Sequence, residues 1–156
     1  MAAQPPLTQQ TVSNETTRQV RDACLCLHAQ RAARALARRF DAALRPAGLT
    51  NGQFSLLNAL NAAQPPQLGR IAALMGADRT TLTAALKPLV RRGLAEVLAD
   101  ERDSRVRRIA LTDAGRARLA EALPLWTRAH AALEAGLGPV DPTELRSGLS
   151  ALAGQP

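Results

Sequence analysis

Aromatic residues are nearly missing from this 156-residue chain, which has no tyrosine and only Phe40, Phe54 and Trp126. Modules that bind RNA or single strands commonly stack bases on aromatic rings, and this chain has few rings to offer. Histidine is scarce too, with only His28 and His130, so there are few acid–base groups for catalysis near neutral pH. No glycine-rich phosphate loop, metal-ligand cluster or Ser–His–Asp-like set accompanies them. An enzyme is therefore not expected, nor a cofactor or a bound metal. Cys24 and Cys26 are too few and too close for a disulfide framework. The first residues lack an apolar run and no stretch reaches transmembrane length, so we expect a cytoplasmic protein without a secretory signal or membrane contact.

Apolar residues make up 46% of the chain, and their alanine- and leucine-rich character suits closely packed helices. The 20 basic residues exceed the 13 acidic ones by seven, which points to a polyanion or an acidic surface as partner. All but Lys87 of the basic residues are arginines.

Residues 1–17 are polar, contain Pro5 and Pro6 and show no periodicity, as in a disordered arm. Residues 18–48 read as one amphipathic helix, with Leu25, Ala29, Ala32, Leu36, Phe40 and Ala43 at steps of three and four. Thr50 and Gln53 form a capping box that starts a second helix, with Leu49 placed to staple Phe54. Two short helices follow, the first broken at Gly76. The second is capped by Asp78 and carries Leu82, Leu86, Leu89 and Val90 on its inner stripe. Two short helices around a glycine turn make a helix-turn-helix candidate. The segments "AEVLAD" and "VRRIALT" then read as two strands around a charged tip. Thr112 starts a long helix with Leu119, Leu123, Trp126, His130, Leu133 and Leu137 on one line, a heptad-like seam that calls for another helix. Pro124 lies inside that helix and should kink it. The final helix opens at Asp141, with Pro142 in its first turn.

The expected fold is mainly α with a small β-hairpin wing. Residues 49–112 form a winged helix-turn-helix, flanked by dimerisation helices at 18–48 and 113–156. With its leucines inward, the second helix of the pair turns Arg79, Thr80, Thr83, Ala84 and Lys87 outward. Arginine can fork onto guanine edges, and threonine can bond bases or touch the thymine methyl. Arg91 and Arg92, at the helix end, suit phosphates. At the wing tip, Arg102 and Arg105 can enter a minor groove, where the negative potential favours arginine. Asp100, Glu101 and Asp103 read as clamps that hold the neighbouring guanidinium groups in a fixed fork.

The segments "GLTNGQFSLL", "IAALMGADRTTLTAALKPLVRRGL" and "DERDSRVRRIALTDAGR" together resemble the MarR family of winged-helix transcriptional regulators. The most specific signal is the Asp-x-Arg-Asp-x-Arg pattern at Asp100, Arg102, Asp103 and Arg105. The resemblance implies a homodimer on double-stranded DNA with a palindromic operator, and repression relieved by a small ligand or by oxidation. It puts Arg79, Thr80, Thr81, Thr83 and Lys87 in the recognition helix and Arg105 at the wing-tip arginine. Arg102 and Asp103 would stabilise the wing. Pro88 departs from the pattern and should bend the recognition helix.

For a sensor, Cys24, Cys26 and His28 are the candidates. On a continuous helix the two cysteines point about 200° apart, whereas Cys24 and His28 share a face. Small core residues, redox-active thiols and metal ligands are the three readings of these residues. The family's organic-hydroperoxide sensors use a first-helix cysteine often partnered by tyrosines, which this chain lacks. The other function considered is a non-specific architectural winged-helix protein. It would bind DNA with a steep salt dependence and little sequence preference.

Overall fold

The computed structural model describes residues 12–100, 103 and 105–154. The chain divides into two compact units, Met1–Leu36 and Ala37–Pro156. In the first unit, helix α1 (Asn14–Ala23) starts at Ser13, whose hydroxyl accepts the Thr16 N–H at 3.1 Å. Glu15 in the first turn complements the positive end of the helix. Residues 14–17, expected in the arm, are therefore helical, while the arm before residue 12 lies outside the described residues.

The single helix expected over 18–48 is interrupted. Cys24 is extended (φ −76°, ψ 100°), and α2 (Leu25–Leu44) begins directly after it. The Cys24 Sγ accepts the Leu27 N–H at 3.4 Å, so the thiol occupies the capping position of α2. A one-residue break of this kind barely disturbs the apolar periodicity, which is why the sequence reads as one helix. A 3₁₀ turn, Arg45–Ala47, closes α2.

In the second unit, α3 (Asn51–Leu60) carries the complete Thr50–Gln53 capping box. Next come α4 (Leu68–Leu74) and α5 (Arg79–Arg91), and Gly76 adopts φ +59° in the turn between them. Strands β1 (Ala95–Ala99) and β2 (Arg107–Leu111) pair antiparallel, with Val97 opposite Ile109. The loop before α4 joins this hairpin: Gln67 bridges Arg108, and the Ile109 N–H donates to the Pro66 carbonyl at 3.0 Å. Helix α6 (Asp113–Ala135) continues through Pro124, and α5 continues through Pro88, so neither proline ends its helix. Helix α7 is Pro142–Ala153, capped by the Asp141 carboxylate on the N–H groups of Thr143 and Glu144.

The core of this unit is aliphatic. Leu44, Leu57, Ile71, Leu82, Leu89 and Ile109 are fully buried, each worth roughly 1.5–3 kcal/mol of transfer free energy. Beside them Trp126 stacks between Phe54 (centroids 5.9 Å) and His130 (4.5 Å), with Phe40 at 6.3 Å. The join between hairpin and α6 is tight. Thr112 donates its N–H to Leu94 O and its hydroxyl to Gly93 O, and the hydroxyl oxygen in turn accepts the Gly115 N–H. A Cβ on Gly115 would overlap the Leu94 carbonyl oxygen, so only glycine fits there.

Candidate nucleic-acid interface

The interface starts from the burial of α5. Leu82, Leu86 and Leu89 are at most 4% exposed, which turns Arg79, Thr80, Thr83, Ala84 and Lys87 to the surface. The Asp78 side chain caps the helix, accepting the Thr81 N–H at 2.8 Å and the Thr81 hydroxyl at 2.7 Å. These hydrogen bonds, the backbone one first, hold the Asp78 carboxyl below the usual carboxylate range. Thr81 therefore spends its hydroxyl proton on the cap. Thr83 donates to Arg79 O at 2.7 Å and presents its methyl group and remaining lone pair. The Arg79 guanidinium lies across Gly69 of α4, where a Cβ would be 3.4 Å from Nη2.

Between α5 and the hairpin runs a groove of about 590 Å³, lined among others by Thr83, Lys87, Arg91, Val97 and Arg107. Arg107, not singled out in the sequence, adds an exposed cation on β2 to this surface. Alternation along a strand is the signal that could have found it, since Ile109 two residues on faces the same side. Arg92 turns instead toward α3, donating to Gln53 Oε1 at 3.4 Å.

At the wing tip Asp100 and Asp103 each hold a backbone N–H. Asp100 Oδ1 accepts the Asp103 N–H at 3.2 Å, and Asp103 Oδ1 accepts the Arg105 N–H at 2.9 Å. The Asp100 N–H donates to Val106 O at 3.0 Å, which closes the turn. The other Asp100 oxygen pairs with Arg108 Nε, a partner that sequence reasoning missed. Among the described residues no carboxylate pairs with the exposed Arg105 guanidinium, and the turn fixes the Arg105 backbone. A short Asp–x–x–Asp segment offers its oxygens to the nearest unpaired N–H groups. Arg102 and Glu101 lie outside the described residues.

The three sensor candidates fall at the α1–α2 break. Cys24 is half-buried and Cys26 exposed, its Sγ accepting from Gln30 Nε2 at 3.2 Å. The His28 Nε2 lies 3.1 Å from Asp22 O. Cys24 caps α2 rather than lying within it, and its carbonyl accepts the His28 N–H at 3.1 Å. Among the described residues, no group of three His, Cys, Asp or Glu side chains could hold a metal ion.

The seam also divides. Leu119 is buried and Leu123 is 51% exposed. Trp126 and His130 join the aromatic stack and Leu133 is half-buried, while Leu137, expected on the same helix, lies beyond its end at Ala135 because Gly136 caps it. A heptad line on a 3.6-residue helix drifts from one neighbour to the next, so its members need not share one partner.

A model described as the MarR family matches residues 47–106. The M. tuberculosis transcriptional regulator MosR in complex with DNA is 42% identical, with a TM-score of 0.76 over 83% of this chain and 93% of that one. The transcriptional repressor CouR bound to a 23-mer DNA duplex is 32% identical, with a TM-score of 0.76 over 86% and 96%. CouR bound to p-coumaroyl-CoA is 31% identical, with a TM-score of 0.75 over 87% and 96%. No curated protein matches the sequence.

Proposed function

Because the chain belongs to the MarR family of winged-helix transcriptional regulators, we propose that it acts as a homodimeric repressor on a palindromic operator in the cytoplasm. The observation that carries this proposal is the exposed row of α5 side chains beside a wing whose tip is braced by its own carboxylates. MosR and CouR, of the same fold, are held on DNA in their structures. In the proposed complex α5 enters the major groove. There Arg79, Thr80, Thr83 and Lys87 read base edges, and Arg91 and Arg107 meet the backbone. Thr81 contributes through the cap that aligns the helix start. Arg105, with Arg102, reaches the adjacent minor groove from the wing tip, which Asp100 and Asp103 stabilise.

Dimerisation is supported by the apolar surface that the chain leaves exposed. No residue of α1 or α7 is buried, and Leu123, Leu145, Leu149 and Leu152 are each more than 40% exposed. A second copy would cover these leucines, with Leu133 and Leu137 at the edge of the seam.

Release from the operator is assigned to a small ligand or to cysteine oxidation. Cys24 is the stronger oxidation candidate because its sulfur accepts an N–H at the start of a 20-residue helix. A hydroperoxide would convert the thiol to a sulfenic acid and be reduced to the alcohol. Cys26 and His28 are its neighbours at the break. CouR bound to p-coumaroyl-CoA supports a ligand route.

Selection from random duplex DNA by the reduced protein tests the proposal. An inverted repeat with half-sites roughly 10 base pairs apart, or a related spacing, supports it. Unrelated fragments at every salt concentration would leave an architectural binder instead.

A further inference from the structure

Two adjacent arginines on β2 face opposite ways. Arg107 lines the groove beside α5. Arg108 lines a separate cavity of about 850 Å³ with Gln64, Pro65 and Arg70, on the far side of the hairpin. There Arg108 Nε pairs with Asp100 Oδ2, while its Nη1 donates to the Pro65 carbonyl at 2.9 Å. The Asp100 side chain is only 10% exposed and that of Arg108 32%, so water screens this contact less than a surface pair. Asp100 in turn accepts the Asp103 N–H of the tip turn. Pro65 lies three residues before α4, the first helix of the helix-turn-helix. One guanidinium therefore links the wing tip to the loop that leads into α4. Beside it, that loop meets β2 through the Gln67–Arg108 bridge and the Ile109–Pro66 hydrogen bond.

Resting on the DNA-binding role proposed above, we infer that Arg108 is a positioning residue that sets the wing tip against the helix-turn-helix without itself touching DNA. The fork geometry suits this task, because two donors fixed in one plane hold two acceptors at a set angle. Losing it leaves the β1–β2 ladder and the backbone bridge to the loop intact and frees the tip to bend away from them. The tip arginine and α5 then no longer meet their two grooves in one register, while α5 keeps its own contacts.

The test is footprinting of the full-length protein on the duplex recovered by wild-type selection. Dimethyl sulfate reads guanine N7 protection under α5, and hydroxyl radicals read sugar protection under the wing. Arg108→Gln and Asp100→Asn should each lose the wing protection at protein concentrations that leave the α5 protection complete. Overall affinity should fall about tenfold. Loss of general folding stability would weaken both protections in parallel, and that result would overturn the assignment, as would unchanged protection in both variants. Should Arg108→Gln show no thermal unfolding transition, Asp100→Asn carries the test with the Arg108–Pro65 contact still in place. A wild-type protein that recovers no discrete site would overturn the regulator reading, and the Arg108 assignment with it.

Discussion

At the scale of single residues, the two sharpest expectations concern a glycine with no room and an exposed arginine at the wing tip. Replacing Gly115 with alanine sets a methyl group against Leu94 O and within 2.8 Å of Leu111 Cδ1. Because one obstacle is backbone, the start of α6 must shift, at a cost of about 3 kcal/mol. Urea denaturation of Gly115→Ala should show this destabilisation, and a wild-type midpoint would mean that α6 can tilt off Leu94 without cost. Arg105→Ala removes an exposed guanidinium from a turn held by backbone hydrogen bonds. Operator affinity should fall about tenfold while the dimer persists, and the salt slope should drop by about one for each phosphate that is no longer neutralised. Unchanged affinity at physiological salt would remove the wing tip from the interface.

At the scale of elements, what the sequence made legible was local. Thr50, Asp78, Thr112 and Asp141 were each readable as helix starts, because a cap and the N–H groups it accepts from lie within three residues of one another. The inner leucines of α5 were equally readable, since burial follows the helical period. The Arg108–Pro65 hydrogen bond joins residues 43 positions apart, and no pattern within a window reaches that far. The break at Cys24 was hidden for the opposite reason, being shorter than the period that would expose it. The wing aspartates also take backbone N–H groups of the tip turn, partners that a reading of opposite charges along the sequence does not suggest.

The Asp78 cap gives α5 a dependence on pH. Its carboxyl titrates below the ordinary value in the folded state. Its stabilisation is therefore present above the unfolded pKa, about 4, and is lost as pH falls through the lower folded value. Thermal melts should show Asp78→Ala less stable than wild type at pH 7, with the gap narrowing below about pH 4. A gap that stays constant across that range would assign the effect to something other than the ionised cap.

At the scale of the whole molecule, the distribution of charge and apolar surface frames the proposed assembly. Ten basic and six acidic residues lie between Arg70 and Arg116, and seven basic and two acidic between Arg18 and Arg45. The first excess belongs to the segment that carries the helix-turn-helix and wing. The C-terminal helices α6 and α7 instead expose leucine. Leu149 is 46% exposed, so a charge there costs the isolated chain little. Leu149→Glu should nonetheless shift sedimentation equilibrium toward monomer and weaken operator binding with it. A stable dimer after that change would locate the interface elsewhere.

The aromatic stack has an optical consequence. Trp126 is the only tryptophan in the chain, and it sits between the Phe54 ring of α3 and the His130 imidazole of its own helix. Its emission is therefore a single-site signal from the place where the helix before the helix-turn-helix pair meets the long C-terminal helix. The unlabelled protein carries its own readout for any effector that moves α3 against α6, with no second fluorophore of the same kind to blur it.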